Sequence, residues 1–284
     1  MAHGSTGAGN DQVRFDLVFQ VLAPHIKIVT PIRDLGLSRD QEIAYLREHG
    51  IDDDFTKMQY SINQGLWGTS IGGKETLTSS KPLPENAYPQ QVTATQPLNV
   101  ELTFTKGELT ALNGEEYAGG PAIIQALEKL AAPYGIGRDM HVGDTIIGIK
   151  GRVGFVAAAP LIIIKAHHLL EKHTLTKWQL YWKEQLANWY GMFFHEALYL
   201  DPVMRNLETF LESTQQQVNG KVFVRLNPYR FEVLGIDSLN DLMNSAFGHY
   251  GEESKAWTGD DVKGFTKILG NYLTIYHSVN KNEN

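Results

Sequence analysis

The 284-residue sequence contains no cysteine, which excludes disulfide bonds, thiolate zinc sites and a cysteine nucleophile. It also lacks a basic balance, because 32 acidic residues against 25 lysines and arginines leave a formal charge of −7. Nucleic-acid-binding domains usually carry a basic patch or stripe, so we expect no nucleic-acid partner. The longest strongly apolar run, residues 156–164, is too short to span a bilayer, and the first dozen residues lack a signal-peptide core. We therefore expect a cytoplasmic protein without a membrane partner.

What is present describes an ordinary globular chain, since 42% of the residues are hydrophobic and 20% are charged. In the first fifty residues the pattern predicts a helix over 10–23, a strand over 26–30 and a second helix from Ser38 to Gly50. Helix, strand and helix in this order indicate the remnant of a doubly wound α/β domain. Such sheets have several parallel strands, whereas this stretch predicts one.

From residue 56 onward the pattern predicts strands and helices in mixed order, which is typical of an α+β domain. Residues 60–90 are rich in Gly, Ser, Thr and Pro and predict a long irregular loop of the kind that carries binding contacts. Strands are predicted over 98–104, 109–112, 145–150, 221–226 and 230–236. Helices are predicted over 121–132, 156–171, 175–194, 202–217 and 260–268, followed by a polar tail that contains Tyr272 and Tyr276.

The opening stretch, residues 2–15, concentrates glycines, hydroxyls, amides, a carboxylate and a guanidinium ahead of a predicted helix. Glycines let the backbone approach a ligand closely, and Asn10 or Asp11 can cap the helix. The free N–H groups and the positive dipole end of that helix then lie beside Thr6 and Arg14, which suits a small anion. On physical grounds alone, an ordinary glycine-rich loop before a helix remains an equal alternative.

The run His3-Gly4-Ser5-Thr6-Gly7, continued by Gly9-Asn10-Asp11-Gln12-Val13-Arg14-Phe15, resembles the aspartate- and citrulline-binding loop of argininosuccinate synthases. That family joins citrulline to aspartate with ATP and releases AMP and pyrophosphate. In the family the loop lies mid-chain, after an N-terminal Ser-Gly-Gly-Leu-Asp-Thr-Ser loop that holds the ATP phosphates, and no such run occurs here. The resemblance therefore implies the family's C-terminal portion, without the N-terminal ATP-pyrophosphatase loop.

The resemblance also implies a domain division and an assembly. It predicts the C-terminal part of an α/β ATP-pyrophosphatase-like domain over 1–55 and a substrate-binding synthetase domain of α+β type over 56–256. It predicts an oligomerisation arm over 257–284 that joins the subunits of a homotetramer. Residues 257–278 are amphipathic, as such an arm requires, and a helix folded onto its own domain is the alternative.

Four residues of the opening stretch match aspartate or ATP positions of the family. Thr6, Asn10 and Asp11 match positions that hold aspartate, and Gly4 matches a position that touches ATP. The residue types suit these roles, because a hydroxyl and an amide bind a carboxylate while Asp11 binds the substrate ammonium group.

The citrulline positions are shared between the opening stretch and the loop near residue 65. Asn10 and Arg14 match citrulline contacts, and so do Ser61 and Ser70, which flank the segment around Trp67. Two serines in a loop are usually ordinary turn residues, so their assignment depends on their order and spacing after the first motif.

A third family motif is altered in this sequence. The glutamate and the tyrosine that contact citrulline in the family are replaced by Gly143 and Phe155. A free ammonium group would lose its counter-charge there, so either Asp144 takes over or the substrate differs at that end. An N-acylcitrulline, whose α-nitrogen carries no charge, is the second hypothesis.

The implied activity is that of a carbon–nitrogen ligase that uses ATP, citrulline and aspartate, with Mg²⁺ bound mainly by the part that holds the ATP phosphates. The resemblance names no catalytic acid or base, since such an enzyme acts chiefly by orienting its substrates and stabilising developing charge. The histidines at 167, 168, 173 and 195 lack metal-ligand spacing, so we expect no metal site among them. A catalytically inactive fragment, which acts only as an amino-acid-binding or assembly module, is the alternative.

Overall fold

The computed structural model describes residues 1–51, 53, 60–244, 246–248, 250–252 and 256–281. These residues form two compact units, one over 1–240 and one over 241–284, and each is described by itself. Within them the structure is a mixture of helices and strands, as the sequence predicts, and its two sheets are antiparallel. The acidic composition of residues 52–60 predicts a linker, which lies almost entirely outside the described residues.

The first fifty residues form three helices, which are α1 (Asp11–Leu22), α2 (Pro31–Leu35) and α3 (Arg39–Glu48). Ser38 begins α3 with a capping box, because its hydroxyl accepts from the Gln41 N–H while the Gln41 side chain accepts from the Ser38 N–H. The prediction of a strand over 26–30 is wrong. Among the described residues this segment forms a single isolated β-bridge, in which Val29 pairs with Ala2 in parallel.

The first sheet has four antiparallel strands in the order β1-β2-β7-β6. They are β1 (Ser61–Gly65), β2 (Gly68–Gly72), β6 (Arg138–Asp144) and β7 (Lys150–Val156). The irregular loop predicted over 60–90 therefore contains a hairpin, and the strand predicted over 145–150 is largely the turn between β6 and β7. Both predictions are wrong because glycines interrupt the alternation of β6 and β7, while β1 and β2 consist largely of Gly, Ser and Thr.

The second sheet has five antiparallel strands in the order β5-β4-β3-β8-β9. They are β3 (Leu98–Thr105), β4 (Glu108–Leu112), β5 (Glu115–Glu116), β8 (Gly220–Asn227) and β9 (Arg230–Asp237). Helices α4 (Gly120–Ala131) and α5 (Ala158–Thr174) share the main core with this sheet, where Phe104, Leu127 and Ile162 are almost fully buried. The strands predicted over 98–104, 109–112, 221–226 and 230–236 are confirmed.

Two further helices, α6 (Lys177–His195) and α7 (Pro202–Thr214), follow α5. Thr176 begins α6 with a capping box, and the Asp201 side chain accepts from the Val203 N–H at the start of α7. The glycine pair before β6 is structural, because a Cβ at Gly137 would lie 2.6 Å from the backbone of Ala157.

A charged group lies fully buried between these helices. The Glu171 carboxylate on α5 contacts the Lys183 ammonium at 2.8 Å and accepts a hydrogen bond from the Gln215 amide at 2.9 Å. Burial alone raises the pKa of Glu171, but nearby His167, Lys183 and Gln215 outweigh it and hold the pKa below its ordinary value. His167 completes the group through a 2.9 Å hydrogen bond between its Nε2 and the Gln215 side-chain oxygen.

The His167 imidazole makes stability depend on pH. Burial lowers the pKa of His167 below its ordinary value, so between those two values the unfolded chain binds a proton that the folded chain does not. The stabilisation is complete above about pH 6.5 and is lost as the pH falls below that value. We expect the free energy of unfolding, measured in urea, to fall between about pH 7.5 and 5.5, and to fall less in His167→Gln. Equal slopes would contradict this account.

The second unit contains α8 (Gly259–Leu269) and α9 (Asn271–Val279). Thr258 caps α8 through a capping box with Asp261. The predicted polar tail is wrong, because Tyr272 and Tyr276 lie in α9. The alternation of aromatic and aliphatic residues with Asn, Thr and His obscured the helical period there.

Candidate functional site

The glycine-rich opening stretch leads directly into α1. Asn10 occupies the N-cap position, but its side chain makes no capping hydrogen bond, and its backbone carbonyl accepts from the N–H groups of Val13 and Arg14. The expected side-chain cap is therefore wrong. The Asn10 side-chain oxygen instead accepts a 2.8 Å hydrogen bond from the backbone N–H of Ile146, in the turn between β6 and β7. This contact joins the opening stretch to the first sheet.

The two charged residues of α1 extend from its first turns. Arg14 Nε donates to the carbonyl of His195, the last residue of α6, at 3.0 Å, and Arg14 Nη1 lies 3.5 Å from Asp11 Oδ1. A helix ends with unpaired carbonyls that carry partial negative charge, so they orient a guanidinium. The Asp11 side chain is 67% exposed and remains accessible to a ligand.

The remaining two residues of the opening stretch that match substrate positions are accessible. Thr6 is exposed, and Gly4 has its nearest side-chain neighbour, Ile32, at 3.9 Å from an added Cβ. The glycine at position 4 therefore leaves ordinary contact space, and no side chain covers the backbone there.

Ser61 and Ser70 lie on one face of the first sheet. Ser70 is opposite Asn63 on β1 and opposite Phe155 on β7, and Ser61 lies two residues before Asn63. Because side chains alternate along a strand, these four residues share a face. The other face carries Ile71, which is fully buried with Leu83 and Ala87 in a small core. The two serines that match citrulline positions of the family therefore lie on the same surface of this sheet.

The altered positions divide between the two faces. Gly143 lies on the serine face, whereas its neighbour Asp144 points to the opposite face, where Lys150 Nζ pairs with it at 2.6 Å. A Cβ at Gly143 would lie 3.0 Å from the His141 imidazole, so His141 already covers this glycine. Asp144 therefore does not take the place of a carboxylate at position 143.

The structure thus brings together three segments of the first unit. The opening stretch meets the β6–β7 turn through Asn10, and α1 meets the end of α6 through Arg14. The serine face belongs to the same sheet as that turn. The sequence did not reveal Ile146 and His195, because both contribute backbone groups, which any residue type supplies. His141 was also missed, since only its placement over Gly143 marks it.

No group of three or more His, Asp or Glu residues in the described part of the chain could hold a metal ion. His167 and His168 face Glu171 instead, with His168 Nδ1 at 3.5 Å from its carboxylate. Among the described helices, none is both long and apolar enough to cross a membrane.

Comparison with known proteins identifies two matching family models. One, described as the arginosuccinate synthase N-terminal HUP domain, matches residues 1–52, and the other, the arginosuccinate synthase C-terminal domain, matches residues 60–276. Proteins named argininosuccinate synthase are similar over nearly the whole chain. That of Dictyoglomus turgidum is 37% identical over 96% of this chain and 69% of its own length. The protein of Xanthomonas campestris is 36% identical over 99% of this chain and 72% of its own length. The protein of Methanocaldococcus jannaschii is 35% identical over 97% of this chain and 70% of its own length.

Proposed function

The chain belongs to the argininosuccinate synthase family, and from that premise we propose that it ligates citrulline to aspartate with ATP in arginine biosynthesis. The observation that carries the proposal is similarity at 35–37% identity across nearly the whole chain. ATP transfers its adenylyl group to the ureido oxygen of citrulline, and pyrophosphate leaves. The aspartate amine then attacks the ureido carbon, AMP leaves, and argininosuccinate forms.

The opening stretch supplies the aspartate side of this site. Thr6 and Asn10 bind a carboxylate of aspartate, and the exposed Asp11 carboxylate pairs with its ammonium group. The hydrogen bond from Ile146 occupies the Asn10 side-chain oxygen, which leaves the amide nitrogen to donate to an anionic ligand. The uncovered backbone at Gly4 contacts ATP.

Citrulline lies between α1 and the serine face. Asn10 and Arg14 contact it from the helix, and Ser61 and Ser70 contact it from the first sheet. The His195 carbonyl limits the orientations of the Arg14 guanidinium, which reduces the entropy lost when substrate binds. The chain's contribution to catalysis is therefore orientation, because two reactants held in line react far faster than free ones.

No three His, Asp or Glu side chains cluster as metal ligands among the described residues, and we assign no step to Mg²⁺. Mg²⁺ accompanies ATP in our proposal, and the phosphate-binding Ser-Gly-Gly-Leu-Asp-Thr-Ser run does not occur among the 284 residues. A module that binds amino acids or assembles without ligase activity is the second candidate function.

Formation of argininosuccinate and pyrophosphate from ATP, citrulline and aspartate tests the ligase function directly. We expect turnover that depends on all three substrates. Isothermal titration with ATP separates the candidates when turnover is absent. Binding at micromolar affinity contradicts the inactive-module function, whereas aspartate binding without ATP binding supports it.

We also propose that the altered positions favour N-acylcitrulline over free citrulline as the substrate. Phe155 lacks a hydroxyl, and Gly143 lacks a carboxylate to neutralise an ammonium group. His141 lies over Gly143 and can rotate away from an acyl group, since it is exposed. Competition kinetics between citrulline and N-acylcitrulline test this proposal. Equal or better turnover of free citrulline contradicts it.

The helices of the second unit form the oligomerisation arm of a homotetramer in our proposal. They expose a row of large apolar side chains, namely Phe265, Ile268, Leu269, Tyr272, Leu273, Ile275 and Tyr276. Burial of such a row against other subunits stabilises an assembly at roughly 25 cal/mol for each Å² covered.

Charges placed on this apolar row will disrupt the assembly. We expect Ile268→Asp with Leu269→Asp to lower the mass measured by analytical ultracentrifugation below that of a tetramer, because a buried unpaired carboxylate is costly. Lys267→Asp, on the polar side of α8, is the control and leaves the mass unchanged. An unchanged mass in the double variant removes the arm from the interface.

A further inference from the structure

The His3 side chain connects the opening stretch to the helices behind it. Its side chain is only 8% exposed, and its ring packs against Phe15 with the centroids 5.4 Å apart. Its Nδ1 lies 3.3 Å from the backbone nitrogen of Ser5, and its Nε2 lies 2.9 Å from Asp16 Oδ1 on α1. On the other side of Asp16, Oδ2 pairs with Arg33 Nη1 of α2 at 2.7 Å.

The partners determine which imidazole nitrogen carries the proton. A backbone N–H can only donate, so Nδ1 accepts from Ser5 and must be unprotonated. Nε2 then carries the hydrogen and donates it to Asp16. The hydrogen bond from His3, together with the charge of Arg33, holds the pKa of Asp16 below its ordinary value despite partial burial. A carboxylate between a guanidinium and an imidazole therefore fixes both the tautomer and the orientation of His3.

Arg33 is fixed in turn by the start of α2. Its Nη2 donates to Thr30 Oγ1 at 3.2 Å, and that hydroxyl donates to Asp34 Oδ1 at 2.8 Å. Thr30 is almost fully buried, whereas the Asp34 side chain at the end of this series is 62% exposed. A side chain whose rotamer is set by such supporting contacts holds its neighbours in a defined geometry.

We propose that His3 is a positioning residue that holds the Gly4–Thr6 backbone in the geometry that binds ATP and aspartate. The imidazole accepts a hydrogen bond from the Ser5 N–H. Ser5 lies between Gly4, which is assigned to ATP, and Thr6, which is assigned to aspartate. The substrate assignment rests on the proposed function, but the tautomer and the Ser5 hydrogen bond do not. His3 touches no substrate, and it acts through the backbone.

Two amide substitutions separate the two nitrogens of the imidazole. In His3→Asn the side-chain oxygen lies near the Nδ1 position and still accepts a hydrogen bond from the Ser5 N–H. In His3→Gln the longer side chain reaches Asp16, and the Ser5 N–H loses its acceptor. We expect His3→Gln to raise KM for aspartate and ATP about tenfold, the effect of one lost hydrogen bond. His3→Asn raises them less than about threefold, and KM for citrulline changes little in both.

A spectroscopic measurement tests the inference without turnover. In ¹⁵N-labelled protein we expect His3 to show the tautomer protonated at Nε2, and the Ser5 amide to exchange slowly in the wild type and in His3→Asn but rapidly in His3→Gln. If the wild-type protein shows this tautomer and slow Ser5 exchange but no ligation, the proposed function is overturned. The hydrogen bond between the Ser5 N–H and His3 is then still supported.

Three outcomes overturn the inference about His3. The first is a His3 ring protonated at Nδ1, and the second is the same Ser5 exchange rate in all three proteins. The third is an equal rise in KM for all three substrates, which indicates a loss of folding rather than of loop geometry. Urea unfolding of both variants, compared with wild type, identifies such a general loss.

Discussion

Lys183→Met lowers the free energy of unfolding by about 3–5 kcal/mol, the usual cost of removing one partner of a buried ion pair. Its partner, Glu171, is completely buried, and the lysine ammonium lies 2.8 Å from the carboxylate. Methionine preserves most of the volume and the apolar stem but leaves the carboxylate with Gln215 and the two histidines. Those groups do not replace a permanent positive charge, because burial lowers the pKa of His167 and favours its neutral form.

Urea denaturation followed by circular dichroism at about pH 7.5 measures this loss. Glu171→Gln combined with Lys183→Met is the matched control, since it removes both charges and should recover most of the lost stability. Lys172→Met, at an exposed position on α5, should change stability by less than about 0.5 kcal/mol. A single Lys183→Met variant that behaves like Lys172→Met contradicts the assigned role of the pair.

The Glu171 group also marks a limit of prediction from this sequence. The periodicity of residues 156–171 predicts a helix, which is confirmed, but it does not say that a glutamate near its end is buried. That burial depends on Lys183 and Gln215, which lie on other elements, so it is a tertiary property. The spacing of His167 and His168 is visible in the sequence, whereas the burial of the carboxylate that both contact is not.

The two sheets differ in how far the sequence predicts them. In β3 the residues Leu98, Val100, Leu102 and Phe104 alternate with polar residues, so the period of two is visible and the strand is confirmed. In the β1–β2 hairpin every residue of β1 is exposed, and only Ile71 of β2 is buried. A single buried residue shows no alternation of apolar and polar side chains, so the glycines and serines there predict a loop.

Candidate residues that lie in one continuous motif are recognisable in the sequence. The opening stretch identified Thr6, Asn10, Asp11 and Arg14 as a group, and the structure shows what orients two of them. The Ile146 N–H and the His195 carbonyl do this through the backbone, 136 and 181 residues further along the chain. Such long-range backbone contacts follow from the fold, and they cannot be predicted from residue type because every residue has the same backbone groups.

Asp11→Asn is expected to lower kcat/KM for aspartate about 100-fold. In the proposed function the Asp11 carboxylate pairs with the substrate ammonium group, and a hydrogen bond to a charged group contributes about 1.5–3 kcal/mol. Asparagine retains the shape and one acceptor oxygen but not the charge. Steady-state kinetics with each substrate varied in turn measure the effect, and Asp260→Asn on α8, an exposed carboxylate in the first turn of a helix, is the control.

A dicarboxylate without an amino group distinguishes this role from a structural one. Succinate has no ammonium group to lose, so we expect it to inhibit Asp11→Asn at least as well as wild type, because a nearby negative charge has been removed. Loss of the acidic residue from the first turn of α1 should reduce stability by less than about 1 kcal/mol. If Asp11→Asn instead weakens succinate and aspartate equally, Asp11 organises the opening stretch and does not pair with the substrate amine.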